Sequence, residues 1–294
     1  MLLIGSHVSF KKDKELLGSL EEALSYGSNT FMFYTGAPQN TIRYDINMEY
    51  TKKAYELMAK NNIDINKIIV HAPYIINLGN KENIDKYNFS IDFLTRECKR
   101  CEKLGMKYLV LHPGNHLGIG IENAILNISD GLNTILDNTS VTILLETMAG
   151  KGTEVGSKFE ELKAIIDEIE KKNQIGICMD TCHMFDSGYD ISHFDKLLGD
   201  FDMIVGIEKI GCIHINDSKN ISGSKKDRHA NLGYGNLGFD NLINIIYNER
   251  LKNVPKILET PYIDIYPPYR FEIDMIKNKI FNPNLNQDVI DYYK

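Results

Sequence analysis

Several features of soluble-protein and membrane-protein sequences are scarce or missing in this chain. Tryptophan is absent from its 294 residues, only eight residues are proline, and only five are cysteine. No stretch of about 18 uncharged apolar residues occurs, so the sequence predicts no membrane-spanning helix. The N-terminal segment from Met1 to His7 lacks the basic start and the cleavage site of a secretory leader, and we therefore expect no signal peptide.

The few cysteines and the net charge indicate the protein's compartment and the kinds of partner it could bind. An odd number of cysteines without disulfide-like spacing indicates a reducing compartment, and we expect a cytoplasmic protein. Cys98 and Cys101 form a C-x-x-C pair, but they share an apolar helix face with Phe93 and Leu94, which favours core packing over a redox or zinc role. A net charge of −7 disfavours a general nucleic-acid binder, although a local basic loop or bound cations can override it.

The sequence does contain a regular alternation of short apolar runs and amphipathic helical patterns. The length allows two small domains or one α/β barrel. Strands are predicted at Leu2–Ser9, Asn29–Thr35, Ile65–His71, Lys107–His112, Val141–Glu146, Ile175–Asp180, Gly211–Ile215 and Pro255–Glu259. Helices are predicted at Asp13–Tyr26, Asn47–Lys60, Ser90–Leu104, Ile121–Leu136, Lys158–Lys171, within His193–Val205, and at Asp240–Asn248 and Tyr269–Lys279. Since no Pro/Gly/Ser-rich linker separates the eight pairs, we expect one α/β domain over residues 1–294, a (β/α)8 TIM barrel, with an open doubly wound sheet as the alternative.

Six consecutive predicted strands end at or near a histidine or an acidic residue: His71, His112, Glu146, Asp180, His214 and Glu259. In a parallel barrel these ends share one rim, and the loops that follow add His183, Asp227 and His229. Asp180 alone also fits a helix cap, with His183 a hydrogen-bonded core residue. Together, however, nine such side chains would repel one another and lose hydration, which bound metal ions would offset. Because one tetrahedral zinc takes about four ligands, the set predicts about three ions.

A basic loop adds to this pattern. With neutral histidines, four carboxylates carry −4 and three divalent ions would carry +6, so the predicted pit is positive and suits phosphoester chemistry. The loop after the seventh strand holds a cluster of cations, which are Lys219, Lys225, Lys226 and Arg228. A solvated loop is the simpler interpretation, but beside a metal pit these cations favour phosphate contact. The segment Gly233–Gly238 formally matches G-x-G-x-x-G, but it does not follow a strand directly, and we expect no nucleotide cofactor.

These residues, taken together, resemble the endonuclease IV family of apurinic/apyrimidinic endonucleases. The resemblance covers nearly the whole chain and is most specific at His71–Leu78, Gly176–His183, His214–Lys219, Gly223–His229 and Leu258–Thr260. It implies a TIM barrel with three zinc ions that acts in base-excision repair, and we expect a monomer. The implied reaction is hydrolysis of the phosphodiester 5′ to an abasic site in duplex DNA, which leaves a 3′-hydroxyl, together with removal of 3′-blocking groups.

The resemblance also implies how the nine side chains divide among the ions. The first zinc would take His71, His112 and Glu146. Glu146 would bridge to a second zinc, which Asp180, His214 and Glu259 complete, and the third would take His183, Asp227 and His229. The implied catalytic residues are Glu146, which holds the metal pair, and Glu259, which orients the reaction.

The implied DNA contacts are less well defined. Tyr74 matches a family tyrosine near the flipped-out sugar, although packing at the barrel rim would also explain it. In the loop after the second strand, Gln39 and Asn40 lie near the place from which some members insert an arginine, and Arg43 lies beyond. His7 and His116 are supporting candidates near the rim.

Two other functions fit parts of this pattern. A sugar isomerase or epimerase on the same barrel uses one or two divalent metals, but small sugars need neither the basic loop nor the Asp227 and His229 pair. A catalytically silent DNA-binding barrel would be expected to lack a metal ligand, and all nine positions are present.

Overall fold

Eight parallel strands form the centre of the protein in a computed structural model that describes residues 2–294. The strands are Ile4–Ser6, Met32–Phe33, Ile69–His71, Tyr108–Leu111, Thr142–Glu146, Ile175–Asp180, Ile210–Ile215 and Lys256–Leu258. Numbered along the chain, they neighbour one another in the order 1-8-7-6-5-4-3-2. A parallel bridge between His7 and Met32 joins the first strand to the second and closes the ring. The predicted (β/α)8 barrel is therefore confirmed, and the open doubly wound sheet is wrong.

The helices surround this barrel. They are α1 (Glu15–Ser25), α2 (Met48–Lys60), α3 (Ile84–Lys103), α4 (Ile121–Leu136), α5 (Phe159–Asp167), α6 (Thr181–Ser187), α7 (Phe194–Ile204), α8 (Phe239–Ile246), α9 (Tyr269–Asn278) and α10 (Leu285–Tyr293). Alternate strand residues face inward because side chains alternate along a strand. One buried layer inside the barrel consists of Met32, Ile69, Val110, Leu144, Cys178, Cys212 and Ile257. The larger core lies between the strands and the helices.

Several strands and helices begin or end at residues other than those predicted, and local hydrogen bonds explain two of these differences. The third strand starts at Ile69 because Ile65–Lys67 forms a 3-10 turn, in which the Asp64 side chain accepts a hydrogen bond from the backbone of Asn66. Helix α3 starts at Ile84 rather than Ser90, since the Asn83 side chain caps it by accepting the backbone N–H of Lys86 at 3.0 Å. Helix α5 ends at Asp167, four residues earlier than predicted, and α10 lies in a segment for which the sequence patterns predicted no element.

The fold tests the predictions made for the C-x-x-C pair and for membrane-spanning helices. Cys98 and Cys101 are fully buried in α3 among the core residues, so the core-packing interpretation of the C-x-x-C pair is confirmed. Among the helices formed by residues 2–294, none is both long and apolar enough to cross a membrane.

A buried carboxyl group fastens α9 to the barrel rim. Glu272 accepts hydrogen bonds from the backbone N–H of Leu232 at 3.0 Å and from the Asn231 amide at 3.2 Å, and it also contacts the Thr260 hydroxyl. Complete burial raises the pKa of Glu272 from 4.5 to about 7. Between these two values the folded chain binds a proton that the unfolded chain releases, so this group's contribution to stability falls as pH rises and levels off above the folded value.

Candidate metal centre

The carboxyl ends of the barrel strands bring nine polar side chains to one rim. His71, Glu146 and Asp180 are the last residues of their strands, and His112 and Glu259 follow directly after theirs. The seventh strand contributes His214, and the chain beyond it returns through a two-stranded antiparallel ribbon that pairs Asp217–Ser218 with His229–Ala230. All nine candidate ligands named from the sequence therefore lie at the same end of the barrel.

His183 and His229 were both expected in loops, but His229 lies in the ribbon strand His229–Ala230, and the local structure of His183 was also predicted wrongly. It was expected in a connecting loop, but it lies in the first turn of α6, which starts directly after the sixth strand. Asp180 caps this helix, since its Oδ1 accepts the backbone N–H of His183 at 2.8 Å. The carboxylate thus fixes the direction of the helix while its other oxygen, Oδ2, remains directed towards the rim, 3.8 Å from His214 Nδ1.

One group of ligand atoms consists of His71, His112 and Glu146. These atoms all lie within 4.8 Å of one another. Glu146 Oε2 lies 3.1 Å from His71 Nε2 and 3.2 Å from His112 Nε2. A tetrahedral ion with bonds of about 2.0–2.1 Å separates its ligand atoms by about 3.3 Å, so this spacing fits a zinc-sized ion.

A second group shares Glu146 with the first. It comprises Glu146, Asp180, His214 and Glu259, again with all ligand atoms within 4.8 Å of one another. His214 Nδ1 lies 3.0 Å from Glu146 Oε1 and 3.0 Å from Glu259 Oε2. Glu146 therefore directs one carboxylate oxygen towards each group, which is the arrangement of a bridging ligand.

The third group lies beside α6. Asp227 Oδ1 is 3.1 Å from His183 Nε2 and 3.4 Å from His229 Nε2. Asp180 Oδ2 lies 3.9 Å from the same His229 nitrogen, and it connects this group to the second. Cys182 is also close to Asp227 and His229, but burial and the nearby Asp180 carboxylate raise the pKa of its thiol, which disfavours the thiolate form that metals bind.

Backbone carbonyls orient three of the imidazole rings. The Nδ1 atoms of His71, His183 and His229 lie 2.7, 2.9 and 3.1 Å from the carbonyl oxygens of Ala72, Thr147 and Glu259, respectively. A proton on each Nδ1 leaves the Nε2 lone pair directed into the cluster, as in metal-binding histidines. Among the described residues, the buried His229 Nε2 has no hydrogen-bond partner, although carboxylate oxygens lie around it. This donor set and its spacing fit metal ions.

The carboxylates and imidazoles of the cluster shift each other's pKa values. Burial opposes charge on Glu146, but the His214 and His112 imidazoles outweigh it and hold the pKa of Glu146 well below its usual value. Burial also opposes charge on His183, but Asp180 and the other neighbouring carboxylates raise the pKa of this imidazole well above its usual value. The carboxylates and imidazoles therefore stabilise one another's charged forms, and bound cations would take over the role of the imidazole protons.

Sequence reasoning missed one residue that supports the centre. The Asn216 amide donates a hydrogen bond to Asp180 Oδ2 at 2.7 Å, and its carbonyl oxygen accepts the backbone N–H of Glu259 at 3.0 Å. This fully buried side chain thus links two candidate ligands from different strands. The available signal was its position within His214–Lys219, one of the stretches that carry the family resemblance.

The predicted DNA-contact residues lie around the same rim. Tyr74 is 55% exposed, and the four loop cations Lys219, Lys225, Lys226 and Arg228 are also exposed. Within residues 2–294, none of these four cations lies within 4.0 Å of a carboxylate. They can therefore bind anions without breaking an ion pair.

The side chains in the loop after the second strand differ in their exposure and in their contacts. Gln39 is exposed, whereas the Asn40 side chain accepts the backbone N–H of Ile42 at 3.0 Å. Arg43 is held against α3 by a 2.7 Å ion pair with the buried Glu97, so it is not directed outwards. Ile42 is 62% exposed beside these residues, and sequence reasoning did not single it out.

His7 and His116 lie in different surroundings. Burial lowers the pKa of His7 to about 4, so its imidazole is neutral at physiological pH. Its ring packs 4.8 Å from that of Tyr34, near the second metal group. His116 is half-buried, and its Nδ1 accepts the backbone N–H of Gly118 at 3.1 Å, which is a local turn contact.

Comparison with known proteins agrees with this geometry. Residues 20–279 match the family model described as a xylose isomerase-like TIM barrel. The probable endonuclease 4 of Acholeplasma laidlawii is 51% identical over 289 residues, covering 97% of this chain and 98% of that protein. The corresponding protein of Bacillus subtilis is 50% identical and covers 99% of both chains.

Solved structures give the same relationship. Endonuclease IV from Thermus thermophilus superposes with a TM-score of 0.80 at 28% identity, covering 94% of this chain and 97% of that one. A D-tagatose 3-epimerase-like protein has a TM-score of 0.65 at 19% identity, covers 99% of this chain and 100% of that one, and shows a shared fold alone. The family model and the relatives at about half identity over nearly full length show that this chain belongs to the endonuclease IV family.

Proposed function

We propose that the protein is a zinc-dependent endonuclease of base-excision repair, which hydrolyses the phosphodiester 5′ to abasic sites in duplex DNA and leaves a 3′-hydroxyl. The observation that carries this proposal is the joining of three ligand groups through two carboxylates. Glu146 contributes one oxygen to each of the first two groups, and Asp180 lies between the second and the third. The names of the close relatives as probable endonuclease 4 support the same activity.

Each group would hold one ion. The first would be held by His71, His112 and Glu146, the second by Glu146, Asp180, His214 and Glu259, and the third by His183, Asp227 and His229. Zinc suits these imidazole and carboxylate donors. Bound ions would supply Lewis-acid charge to a phosphodiester and would make water nucleophilic near neutral pH.

Two glutamates have separate tasks. Glu146 is 1% exposed and holds two groups at a fixed separation, so its task is to position the reactive centre. Glu259 is 18% exposed on the open side of the second group, which makes it the carboxylate placed to accept a hydrogen bond from the reacting water and to orient it. Since bound cations would supply positive charge beside the leaving oxygen, no separate protein acid would be required for it.

The surrounding rim would bind the DNA. Lys219, Lys225, Lys226 and Arg228 would contact backbone phosphates, which gives affinity without sequence readout. Tyr74 would lie beside the sugar of a nucleotide that has left the helix. Gln39 and Asn40 would lie near the position from which some family members insert an arginine into DNA. An abasic nucleotide has no base pair to lose, so the smaller cost of extrusion would supply selectivity.

The same centre would remove blocking groups from 3′ ends. A 3′-phosphate or sugar fragment would present to the ions a phosphoester on the same 3′ oxygen as an internal linkage. Because it is already at a strand end, it needs less distortion of the duplex. This secondary activity should therefore depend on the same ligands.

The experiment that tests the proposal is cleavage of a duplex with one natural abasic site, whose sugar retains its aldehyde, followed by extension of the nicked strand by a DNA polymerase. We expect a nick 5′ to the lesion, direct extension from its 3′ end, and no cleavage of undamaged duplex or of chelator-treated samples. An unsaturated sugar at the 3′ end would indicate β-elimination by a lyase and would contradict hydrolysis. Interconversion of ketohexoses without DNA cleavage would indicate the epimerase alternative.

A further inference from the structure

Asp186 is a fully buried acidic residue near the end of α6 that belongs to none of the three ligand groups. Its Oδ1 accepts the Ser218 hydroxyl at 2.6 Å. Its Oδ2 accepts the Asn220 amide at 3.0 Å and the backbone N–H of Asp227 at 2.9 Å. One carboxylate thus contacts both sides of the loop that runs from the seventh strand to His229.

The backbone of Asp186 also holds the same loop. Its carbonyl oxygen accepts the backbone N–H of Lys225 at 2.9 Å. Lys225 and Asp227 both have positive φ angles, +56° and +54°, which are unfavourable for residues other than glycine. Both strained residues therefore donate their N–H groups to Asp186, and these bonds hold the loop in a conformation that its own sequence disfavours.

The position of Asp186 on α6 connects this loop to the third ligand group. His183 and Asp186 are three residues apart, so they lie on adjacent turns of one helix face. His183 Nε2 is 3.1 Å from Asp227 Oδ1, while Asp186 holds the backbone of the same aspartate. A single short helix thus sets the distance between two ligands that come from separate parts of the chain.

We propose that Asp186 is a positioning residue for the third metal ion, which fixes Asp227 opposite His183 and His229 and keeps Lys225 and Lys226 at the rim. The inference rests on the proposed three-ion centre, because it assigns a supporting residue to one of its groups. Residues that hold metal ligands from behind typically change metal affinity about 10- to 100-fold when they are removed. The effect should be confined to one ion of the three, since the other two groups are held by strand ends.

The test compares zinc retention in the purified zinc-loaded wild type, Asp186→Ala and Asp186→Asn. Elemental analysis gives the zinc content, and release to a chromogenic chelator gives the affinity of each ion. Glu97→Gln is the matched control, because Glu97 is an equally buried carboxylate that holds a different rim loop through Arg43 and Thr35. Thermal unfolding of every variant establishes that it is folded.

We expect wild type and Glu97→Gln to hold three zinc ions and Asp186→Ala to lose one of them about 10- to 100-fold more readily. Asp186→Asn should retain most of the wild-type affinity, because its amide oxygen can still accept the Asp227 N–H while its nitrogen donates to Ser218. Asp186→Ser, which is too short to reach the loop, should behave like the alanine variant and replaces it if that variant does not fold.

Three results would overturn the inference. Unchanged zinc release from Asp186→Ala would show that the loop holds Asp227 without this carboxylate. Simultaneous loss of all three ions would indicate a general structural role. A wild type that holds two ions or fewer would overturn the proposed three-ion centre as well, whereas the first two results leave that centre intact.

Discussion

The basic loop allows a quantitative test of DNA binding. Lys225 and Lys226 are exposed and have no carboxylate partner among residues 2–294, so each is free to neutralise one phosphate. Each phosphate contact contributes about −0.9 to the slope of log affinity against log salt concentration for duplex DNA. Replacing both lysines by glutamine should therefore make the slope shallower by about 1.8.

This difference has a measurable size. Between 50 and 200 mM the salt concentration increases fourfold. With a slope difference of about 1.8, wild type should lose about 12-fold more affinity over this range than the double variant. Fluorescence anisotropy with an undamaged duplex measures this term without cleavage. Lys103→Gln with Lys107→Gln is the control, because these two exposed lysines directly precede the fourth strand and so lie at the opposite end of the barrel.

Equal slopes for wild type and the Lys225 and Lys226 double variant would refute this account of phosphate binding. A similar decrease in the control variant would also refute it, since the effect would then reflect total charge rather than the position of the loop.

Three further predictions concern the centre and the fold. Glu259→Gln should lower the rate of cleavage by about 10²-fold or more while binding of abasic duplex is retained, because one orienting charge is lost; cleavage at the wild-type rate would contradict this. Asp227→Ala should lose one of three zinc ions and most turnover but still unfold cooperatively, since strand ends form the scaffold; loss of cooperative unfolding would show that this loop is structural. Glu272→Gln should gain stability relative to wild type as pH rises from 4.5 to about 7, by about 3 kcal/mol in total. Denaturant titrations at several pH values measure this gain, and a pH-independent difference would show that Glu272 does not titrate in this range.

The architecture was predictable from sequence because the chain repeats one local pattern. Short apolar runs that alternate with amphipathic helices allow few arrangements, and a parallel barrel places all strand ends on one rim. Element boundaries were less predictable because single side-chain caps determine them, as Asn83 does for α3. Helix α6 was missed since its seven residues, Thr181–Ser187, are too few to show a clear apolar period.

The ligands at the strand ends were predictable from sequence, whereas the contacts that support them were not. His71, Glu146 and Asp180 could be placed together because each ends a strand, so their separation follows from the barrel itself. The supporting contacts of Asn216 and Asp186 depend on the path of the loop after the seventh strand. That path includes positive φ angles at Lys225 and Asp227, which are uncommon for residues other than glycine and which the sequence alone does not specify.

We propose that three ions held by one connected set of ligands carry out DNA hydrolysis. The most direct measurement is titration of zinc into chelator-stripped protein, with cleavage of an abasic duplex followed at each ratio of zinc to protein. We expect activity to rise to a plateau at about three zinc ions per chain, without added magnesium. Full activity at one ion per chain, or in stripped protein without any metal, would contradict it.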